Sequence, residues 1–518
     1  MNLVTDKWIP VVNMEGKPDD ASLMQIFTEG DKIADLAVRP HERVALMRLF
    51  ICIASAALDG PENKDEWEQV PKKLPSAAKK YLNEWQSSFN LFDEKKPFLQ
   101  IDGLKQKKGT TKRDQDLDEK KLTPVSKLDI TLATGNNSTL FSHQTKPILS
   151  EKQTALNLLA YQNFTASGTI GIAEWNGKES PGMGASFPAP CIDKSMLHTF
   201  LRRGDMLQTI ALNVLSKKQV ARFYGNDKWG NPVWEMFPNN FFDKDRILNA
   251  THTYLGRLVP ITRVIRIRCE TQDMIMANGF KYPLSKDGLY EATATTKIRN
   301  NTRELLKVTG NEIWRELSSI IVRNIADNNG ARGPKALENI HAKTFDVWCG
   351  GIKWTTKGGY VESMESIYSI STKMLTADGH SLYESSIEVA EMLSKKLGWA
   401  VEEYRKNIDG FWETRSDRKR NENAYIDKGI LHSKATRNYW TAVEKHRHLL
   451  MDCVDALGTD RIEKADETWR KALHKAARES YIASCGQDTS RQIRAFALGL
   501  RELFSKKEER QNETGGEE

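Results

Sequence analysis

The chain has 518 residues, of which 39% are hydrophobic and 8% aromatic. This length exceeds a typical single domain and this composition can bury a core, which excludes a disordered, collagen-like or low-complexity protein. Its 76 Lys and Arg against 69 Asp and Glu leave a net charge of +7, far below that of a histone. Any contact with nucleic acid must therefore come from local basic patches rather than from the whole surface.

The first part of the chain predicts one extended segment and one buried helix. Leu3–Val12 is short, apolar-rich and contains Pro10, which predicts a strand or an extended edge segment. In residues 41–58 apolar side chains recur every three or four positions with further apolar residues between them, which predicts a buried helix. Residues 104–121 carry seven Lys or Arg and four Asp or Glu, and they predict a solvated loop that could also meet phosphate.

The middle of the chain combines an irregular region with a strand. Residues 126–190 are rich in Gly, Ser, Thr and Asn and enclose one predicted helix, Lys152–Tyr161. So long an irregular region in a compact protein is more often functional than decorative. Val259–Cys269 ends in strict alternation of apolar residues with Arg266 and Arg268, which predicts a strand with a cationic face.

The last third predicts a hairpin and then a bundle of helices. Phe345–Val361 contains two β-prone stretches on either side of Thr355–Gly358. Past residue 378 the apolar spacing becomes helical, first over 389–408 and then near 434–457, 460–485 and 488–506. We therefore predict an α+β fold, with a large mixed α/β N-terminal domain over residues 1–377 and a C-terminal four-helix bundle over residues 378–518.

Six cysteines are spread singly along the chain, and no CxxC pair occurs. This usage argues against a disulfide scaffold, a zinc ribbon and a thioredoxin-type redox pair, and it suits a reducing compartment. The first ten residues lack the pattern of a signal peptide, and no run of 18 apolar residues occurs. We therefore expect a soluble cytoplasmic protein.

No catalytic constellation stands out in the sequence. A P-loop pattern is missing, and Gly182-Met183-Gly184 lacks the third glycine of a dinucleotide fingerprint. His446 and His448 lie two positions apart on a predicted helix and therefore point in different directions. The pattern that a metal-dependent nuclease could use is a set of alternating carboxylates in a lysine-rich loop, Asp114, Asp116 and Asp118. We predict a protein without enzymatic activity, cofactor or metal.

Three segments have the chemistry of nucleic-acid binding. The small-residue loop Ser167, Gly168, Thr169, Ile170, Gly171 could bring its backbone close to a groove or a phosphate, or be an ordinary turn. The turn Thr355, Thr356, Lys357, Gly358 presents hydroxyls and an ammonium suited to base edges, or is a solvent-exposed turn. A third segment interleaves cations with aromatics, which suits either a single strand or a solvated helix end: Arg415, Arg418, Lys419, Arg420, Tyr425, Arg437, Tyr439 and Trp440.

Residues along the whole chain resemble one family. The matching segments are Asn2–Val11, Leu132–Gln144, Leu212–Leu215, Asn278–Phe280, Gly350-Gly351 and the helical region up to Phe496–Phe504. In order and spacing they resemble the CasA family, the large subunit of the type I-E CRISPR surveillance complex Cascade. The resemblance implies a noncatalytic protein with a mixed α/β domain and a four-helix bundle.

The resemblance also implies a set of partners. These are the crRNA at its 5′ handle, double-stranded target DNA read at its short PAM from the minor-groove side, the backbone, handle-binding and small subunits of Cascade, and the helicase-nuclease; no membrane is implied. Protein reads the PAM in such systems, and base pairing by the guide reads the rest.

Individual positions take roles through the resemblance. The family's glycine loop corresponds to Ser167–Gly171, and its wedge hairpin corresponds to Trp354–Gly359, with Thr356 or Lys357 at the tip. The loop that meets the crRNA handle and adjoining subunits corresponds to Leu132–Gln144, including Asn136, Asn137 and Phe141.

This chain also departs from the family pattern. The four-cysteine cluster of better-known members does not follow Cys269, so no zinc is expected, and the glycine loop is poorer in glycine. The family's groove-reading lysine has no direct counterpart, and Arg268 and Lys281 are its surrogates. These departures bear on the PAM sequence preference, and the degenerate pattern of the minor groove predicts tolerance of several PAMs.

Two other hypotheses stand beside DNA recognition. A scaffold that only bridges other subunits would leave PAM discrimination unchanged when the hairpin is altered. A nuclease built on residues 114–118 would cut DNA in the presence of Mg²⁺ or Mn²⁺.

Overall fold

The computed structural model describes residues 1–108, 122–132, 148–168, 170–181, 186–299, 302–309, 313–321, 334–354, 360–409 and 422–504. The chain divides into two compact units, one made of Met1–Ile313 with Ser319–Ser369 and the other of Trp314–Ser318 with Ile370–Glu518. The predicted fold class is confirmed, because small sheets and helices alternate through the first unit and a helical region follows at the C-terminal end. In the described part, no helix is both long and apolar enough to cross a membrane.

Small antiparallel sheets supply the β-structure. The strands are β1 (Ile9–Asn13), β2 (Pro18–Ala21), β3 (Ile33–Leu36), β4 (Lys105–Lys108), β5 (Thr123–Pro124), β6 (Ile172–Trp175), β7 (Lys178–Glu179), β8 (His198–Arg202), β9 (Arg263–Arg268), β10 (Asp273–Asn278), β11 (Thr296–Arg299), β12 (Thr302–Leu305), β13 (Thr344–Trp354) and β14 (Tyr360–Ser371). They pair in the orders β2-β1-β3, β4-β6-β7, β5-β10-β9, β14-β13-β8 and β11-β12. Sheets this small cannot form a core alone and depend on packed helices.

One long helix forms the centre of the first unit. The helices up to residue 320 are α1 (Leu23–Thr28), α2 (Pro40–Ala57), α3 (Lys64–Trp67), α4 (Val70–Glu84), α5 (Glu151–Phe164), α6 (Met206–Asn213), α7 (Lys217–Tyr224), α8 (Lys244–His252), α9 (Tyr254–Leu258) and α10 (Leu317–Ile320). α2 is buried at every position from His41 to Ser55 and packs against α4, α5, α6 and α9. The predicted buried helix over 41–58 is confirmed, and its apolar residues surround the helix because neighbours cover all its sides.

The N-terminal segment is more central than its proline suggested. The predicted strand is confirmed as β1, but β1 lies in the middle of its sheet rather than at an edge. Of the two alternatives, the strand is borne out and the edge segment is not, because Pro10, which lacks an amide hydrogen, takes no part in the β1–β3 ladder. β3 pairs with β1 only from Val11 onward, so the proline ring lies beyond the end of that ladder.

Five helices make up the second unit's described part beyond residue 376. They are α11 (Ala377–Asp409), α12 (Glu422–Lys445), α13 (Arg447–Ala456), α14 (Ile462–Ser484) and α15 (Ser490–Leu503). The pattern predicted over 434–457 is therefore two helices rather than one. At His446 the amide donates to the carbonyl of Val443, three residues back, and this tightened turn interrupts the α-helical ladder.

Candidate nucleic-acid interface

The small-residue loop follows directly from the end of helix α5. Ser167 and Gly168 are exposed, and a Cβ built on Gly168 would meet nothing within 4 Å. The amide of Gly168 donates to Ser186 Oγ at 2.9 Å, and its carbonyl accepts from the Ser186 amide at 2.7 Å. The loop is thus hydrogen-bonded on one side and open on the other. Thr169 lies outside the described residues.

A buried arginine holds this loop to the sheet. Arg263, at the start of β9, is 1% exposed. Its Nη2 donates to the carbonyl of Ala166 at 2.9 Å and to Ser186 Oγ at 2.8 Å, while Nη1 donates to the carbonyl of Phe187 at 2.7 Å. Burial lowers the pKa of this guanidinium, and carbonyl and hydroxyl oxygens satisfy its donors. Arg263 therefore sets the position of the loop backbone.

Sequence reasoning missed Arg263, although a signal was present. In the predicted strand Val259–Cys269, Arg263 has the same parity as Ile265 and Ile267, so it falls on the apolar face. An arginine on that face must bury its charge and find several acceptors. The alternation of Arg266 and Arg268 drew attention to the opposite face instead.

The remaining end of the loop is tied to the β9–β10 hairpin. Gly171 forms a parallel bridge with Ala277, and the Phe187 amide donates to Asn278 Oδ1 at 3.3 Å. Just beyond, a Cβ on Gly279 would lie 2.5 Å from the carbonyl oxygen of Ile261. Glycine is required there because two backbones pass too closely for any side chain.

The register of β9 and β10 separates the two surrogate cations. Arg263 pairs with Asn278, and Arg268 pairs with Asp273 at the other end of the hairpin. Lys281 is exposed and follows Asn278 by three residues, so it emerges at the end where the loop is held. Arg268 lies five residues beyond Arg263 along β9, which places the two residues about 17 Å apart. Of the two, Lys281 follows the end of the hairpin that holds the loop.

The second candidate element, the β13–β14 hairpin, is joined to its neighbours at its base. Lys353 Nζ and Glu362 Oε1 pair across it at 3.1 Å, and the amide of Trp354 donates to Ser195 Oγ at 3.0 Å. The predicted hairpin strands are confirmed. The turn residues Thr355, Thr356, Lys357 and Gly358 lie outside the described residues.

The two adjacent glycines before the turn have a packing reason. A Cβ on Gly350 would lie 2.8 Å from the carbonyl oxygen of Met364, and one on Gly351 would lie 2.9 Å from that of Met196. Each carbonyl belongs to a neighbouring backbone and cannot rotate away. The pair therefore allows the hairpin base to approach its neighbours closely.

Of the segment expected to meet the crRNA, Leu132–Gln144, the structure describes Leu132 alone. Asn136, Asn137 and Phe141 lie outside the described residues. Before them, Arg39 Nη1 donates to Asp129 Oδ1 at 3.1 Å and to Thr131 Oγ1 at 2.9 Å. Burial opposes ionisation of Asp129, but hydrogen bonds from Thr131 and the charge of Arg39 leave its pKa below the ordinary value. After them, the amide of Leu149 donates to Gln272 Oε1 at 3.2 Å.

Two aromatics of the cation–aromatic pattern, Tyr439 and Trp440, lie in the core of the second unit, whereas Arg437 is exposed. Tyr439 is fully buried, and Trp440 is 6% exposed with the Arg315 guanidinium 3.8 Å from its ring centroid. The interpretation of these two aromatics as stacking partners for bases was wrong, because packing covers their rings. Arg415, Arg418, Lys419 and Arg420 lie outside the described residues.

The patterns considered for catalysis do not form a site in the described part of the chain. Asp114, Asp116, Asp118 and Gly182–Gly184 lie outside it. The rings of His446 and His448 are 6.3 Å apart. Among the described residues, no group of three or more His, Cys, Asp or Glu side chains could hold a metal ion.

The chain matches characterised proteins over nearly its whole length. Residues 2–480 match the model of the family described as CRISPR-associated protein Cse1. A curated relative from Thermus thermophilus, CRISPR-associated protein CasA/Cse1, is 24% identical over 97% of this chain and 96% of its own length.

Solved structures show the same fold at low identity. Cse1 from Acidimicrobium ferrooxidans superposes with a TM-score of 0.75 at 17% identity, covering 97% of this chain and 96% of that one. A chain from a solved CRISPR RNA-guided surveillance complex gives a TM-score of 0.71 at 14% identity, covering 98% and 99%. Because the family model spans most of the sequence, the chain belongs to the CRISPR-associated Cse1 (CasA) family.

Proposed function

We propose that this protein is the noncatalytic large subunit of a type I-E Cascade complex, where it recognises the PAM in double-stranded DNA from the minor-groove side. Family membership supports a place in an RNA-guided surveillance complex, since a chain of such a complex has the same fold. The observation that carries the proposal is the loop at Gly168, held from behind by Arg263 and open in front, with Lys281 at the same end of the hairpin.

The proposed reading mechanism uses backbone rather than base-specific side chains. Ser167 and Gly168 expose a segment without bulky side chains, which suits the narrow minor groove. Lys281 supplies a cation beside the loop. Because the minor groove distinguishes little beyond A·T from G·C, this arrangement suits a set of related PAMs.

The hairpin is the proposed wedge that begins strand opening and R-loop formation. Its base is braced by the Lys353–Glu362 pair and by the Trp354 amide on Ser195. In this proposal, the contacts at the base hold the hairpin in place while Thr356 or Lys357 at its tip inserts between base pairs. The unstacking costs a few kcal/mol per step and is repaid by contacts to the opened DNA.

The other proposed contacts concern assembly in the cytoplasm. Leu132–Gln144 would meet the crRNA handle and the adjoining backbone and handle-binding subunits, with Asn136, Asn137 and Phe141 among the contact residues. The second unit would face the small subunits and steady the non-target strand through Arg415, Arg418, Lys419 and Arg420. The assembled subunit would provide the docking platform for the helicase-nuclease.

The test is DNA binding by the complex reconstituted with crRNA. Gly168→Asp adds a carboxylate where space is open, so the chain should fold while like-charge repulsion lowers affinity for a PAM duplex at least tenfold. Ser87→Asp adds the same charge at an exposed position elsewhere and should have no effect. Lys357→Ala should reduce PAM-dependent binding in the same way.

Two outcomes would select the other hypotheses. Normal PAM discrimination by both Gly168→Asp and Lys357→Ala complexes would leave only a scaffolding role. Cleavage of DNA by the purified chain with Mg²⁺ or Mn²⁺ would establish a nuclease, whereas we expect none.

A further inference from the structure

One half-buried residue connects the chain on both sides of the segment that is expected to meet the crRNA. Gln272 lies in the turn between β9 and β10. Its carbonyl accepts a hydrogen bond from the amide of Val125 at 2.9 Å, and its side-chain Oε1 accepts from the amide of Leu149 at 3.2 Å. Val125 precedes Leu132–Gln144 and Leu149 follows it. A single residue therefore holds the chain that enters this segment and the chain that leaves it.

The backbone of Gln272 is strained, which indicates that its side chain is needed. Its φ is 53°, in the left-handed region that favours glycine. Strain of this kind persists where the surroundings over-determine the backbone, often at a functional site. A glycine at this position would relax the turn but would remove the acceptor for the Leu149 amide.

The hydrogen bond to Leu149 lies outside the regular pairing of the hairpin. β9 and β10 pair with each other along their whole lengths, and β5 pairs with β10 next to the turn. Leu149 belongs to neither sheet nor helix and comes one residue before Ser150, the N-cap of helix α5. The Gln272 side chain therefore fixes where the chain enters α5, rather than how the hairpin pairs.

A second side chain connects the same two parts of the chain further along. Arg39 Nη1 donates to Asp129 Oδ1 at 3.1 Å and to Thr131 Oγ1 at 2.9 Å, on the chain that enters the segment. Arg39 Nη2 donates to Asn157 Oδ1 at 3.2 Å, on helix α5. The two parts of the chain are thus connected at two places, by Gln272 and by Arg39.

We propose that Gln272 is a positioning residue for crRNA binding, because it sets the spacing of the two points from which Leu132–Gln144 extends. The inference rests on the proposed function and extends it, since Gln272 acts through this segment and would not touch the RNA itself. Fixing the two points before assembly reduces the conformational entropy that is lost on binding. The segment should therefore bind more tightly than one whose ends are free.

The test separates the stability of the chain from its assembly. Gln272→Gly removes the acceptor and relieves the left-handed backbone, so the urea midpoint of the full chain should be unchanged or higher. The Leu149 amide should nevertheless exchange roughly fivefold faster, the factor for losing one hydrogen bond of typical net strength. The affinity of the chain for the remaining Cascade subunits loaded with crRNA should fall about threefold to fivefold, because Arg39 keeps the second connection. Gln272→Asn tolerates the left-handed backbone but is one methylene shorter, and it should weaken assembly in the same way.

Two control variants accompany this test. Asp227→Gly makes the matched change in another turn, because Asp227 is exposed and has a similar φ of 58°. It should leave both the exchange of the Leu149 amide and the affinity for the crRNA-loaded subunits unchanged. Phe141→Ala tests the proposed crRNA contact independently, and it should weaken assembly without changing the exchange of the Leu149 amide.

Four results would overturn the inference. Unchanged exchange of the Leu149 amide in Gln272→Gly would show that the side chain does not hold this part of the chain. A lower urea midpoint in both Gln272→Gly and Gln272→Asn would assign Gln272 to stability alone. Faster exchange with normal affinity, while Phe141→Ala assembles poorly, would remove the positioning role and leave the proposed function intact. Normal affinity of both Gln272→Gly and Phe141→Ala would remove the crRNA contact from the proposed function, and the inference would fail with it.

Discussion

The arginine behind the small-residue loop gives a quantitative prediction. In Arg263→Lys the charge remains, but an ammonium cannot span both the Ala166–Ser186 side and the Phe187 side of the guanidinium fork. At least two buried hydrogen bonds are lost, each worth roughly 1 kcal/mol or more. We therefore expect the loop to open more easily by about 2 kcal/mol, which corresponds to a roughly 30-fold larger equilibrium constant for opening.

Amide hydrogen exchange measures this opening directly. The amides of Gly168, Ser186 and Ala189 are hydrogen-bonded across the loop and should exchange about 30-fold faster in Arg263→Lys. Arg266→Lys is the matched control, since the Arg266 guanidinium donates to the carbonyls of residues 93 and 94 and not, among the described residues, to the loop. Unchanged exchange in Arg263→Lys, or an equal acceleration in Arg266→Lys, would refute the view that Arg263 fastens the loop.

Three further predictions concern the framework that supports the site. Gly279→Ala should destabilise the first unit by about 1–3 kcal/mol, seen as a lower urea midpoint, because its Cβ would press on the Ile261 carbonyl; an unchanged midpoint would contradict the required close approach. Glu291→Gln should cost about 3–5 kcal/mol by the same measurement, since Arg48 and Arg257 would keep buried charges without their carboxylate; a loss below about 1 kcal/mol would be inconsistent with this. Burial lowers the pKa of His198 to about 4 from an ordinary 6.5, so the unfolded chain binds more protons between these values, and the stability present above pH 6.5 is lost as pH falls toward 4. Unfolding free energy should drop by about 2 kcal/mol from pH 7 to pH 5 through this residue, and His198→Gln should reduce that drop; equal drops in both proteins would exclude His198 as the cause.

Local patterns predicted the elements well where one physical effect dominates. The uninterrupted apolar stretch of α2 and the helical spacing of α11 each decide the structure by burial alone. Pro10 left a strand and an edge segment as alternatives, because its effect depends on where the neighbouring strand begins to pair, which the segment itself does not encode.

The site was harder to predict than the fold, because the role of each site residue depends on distant parts of the chain. The role of an arginine depends on which acceptor groups the fold places around its guanidinium. Arg263, Arg266 and Arg268 lie on the same short strand, β9, but each has different surroundings. Arg263 holds a loop, Arg266 caps a turn, and Arg268 lies at the far end of the hairpin. Tyr439 and Trp440 lie in a basic stretch of the sequence and are nevertheless buried. The exposure of an aromatic side chain therefore cannot be inferred from basic residues near it in the sequence. Glycines gave a better signal, since Gly279 and Gly351 both mark backbone contacts.

Site-specific photocrosslinking tests the central claim most directly. A benzophenone amino acid would replace the exposed Ser167 in the complex assembled with crRNA and a labelled PAM-containing duplex, and the exposed Phe242 would carry the same probe as a control. We predict crosslinks from position 167 confined to the PAM base pairs, and none from position 242. Crosslinks from position 167 that fall outside the PAM, or only onto protein subunits, would contradict the assignment of this loop to DNA recognition.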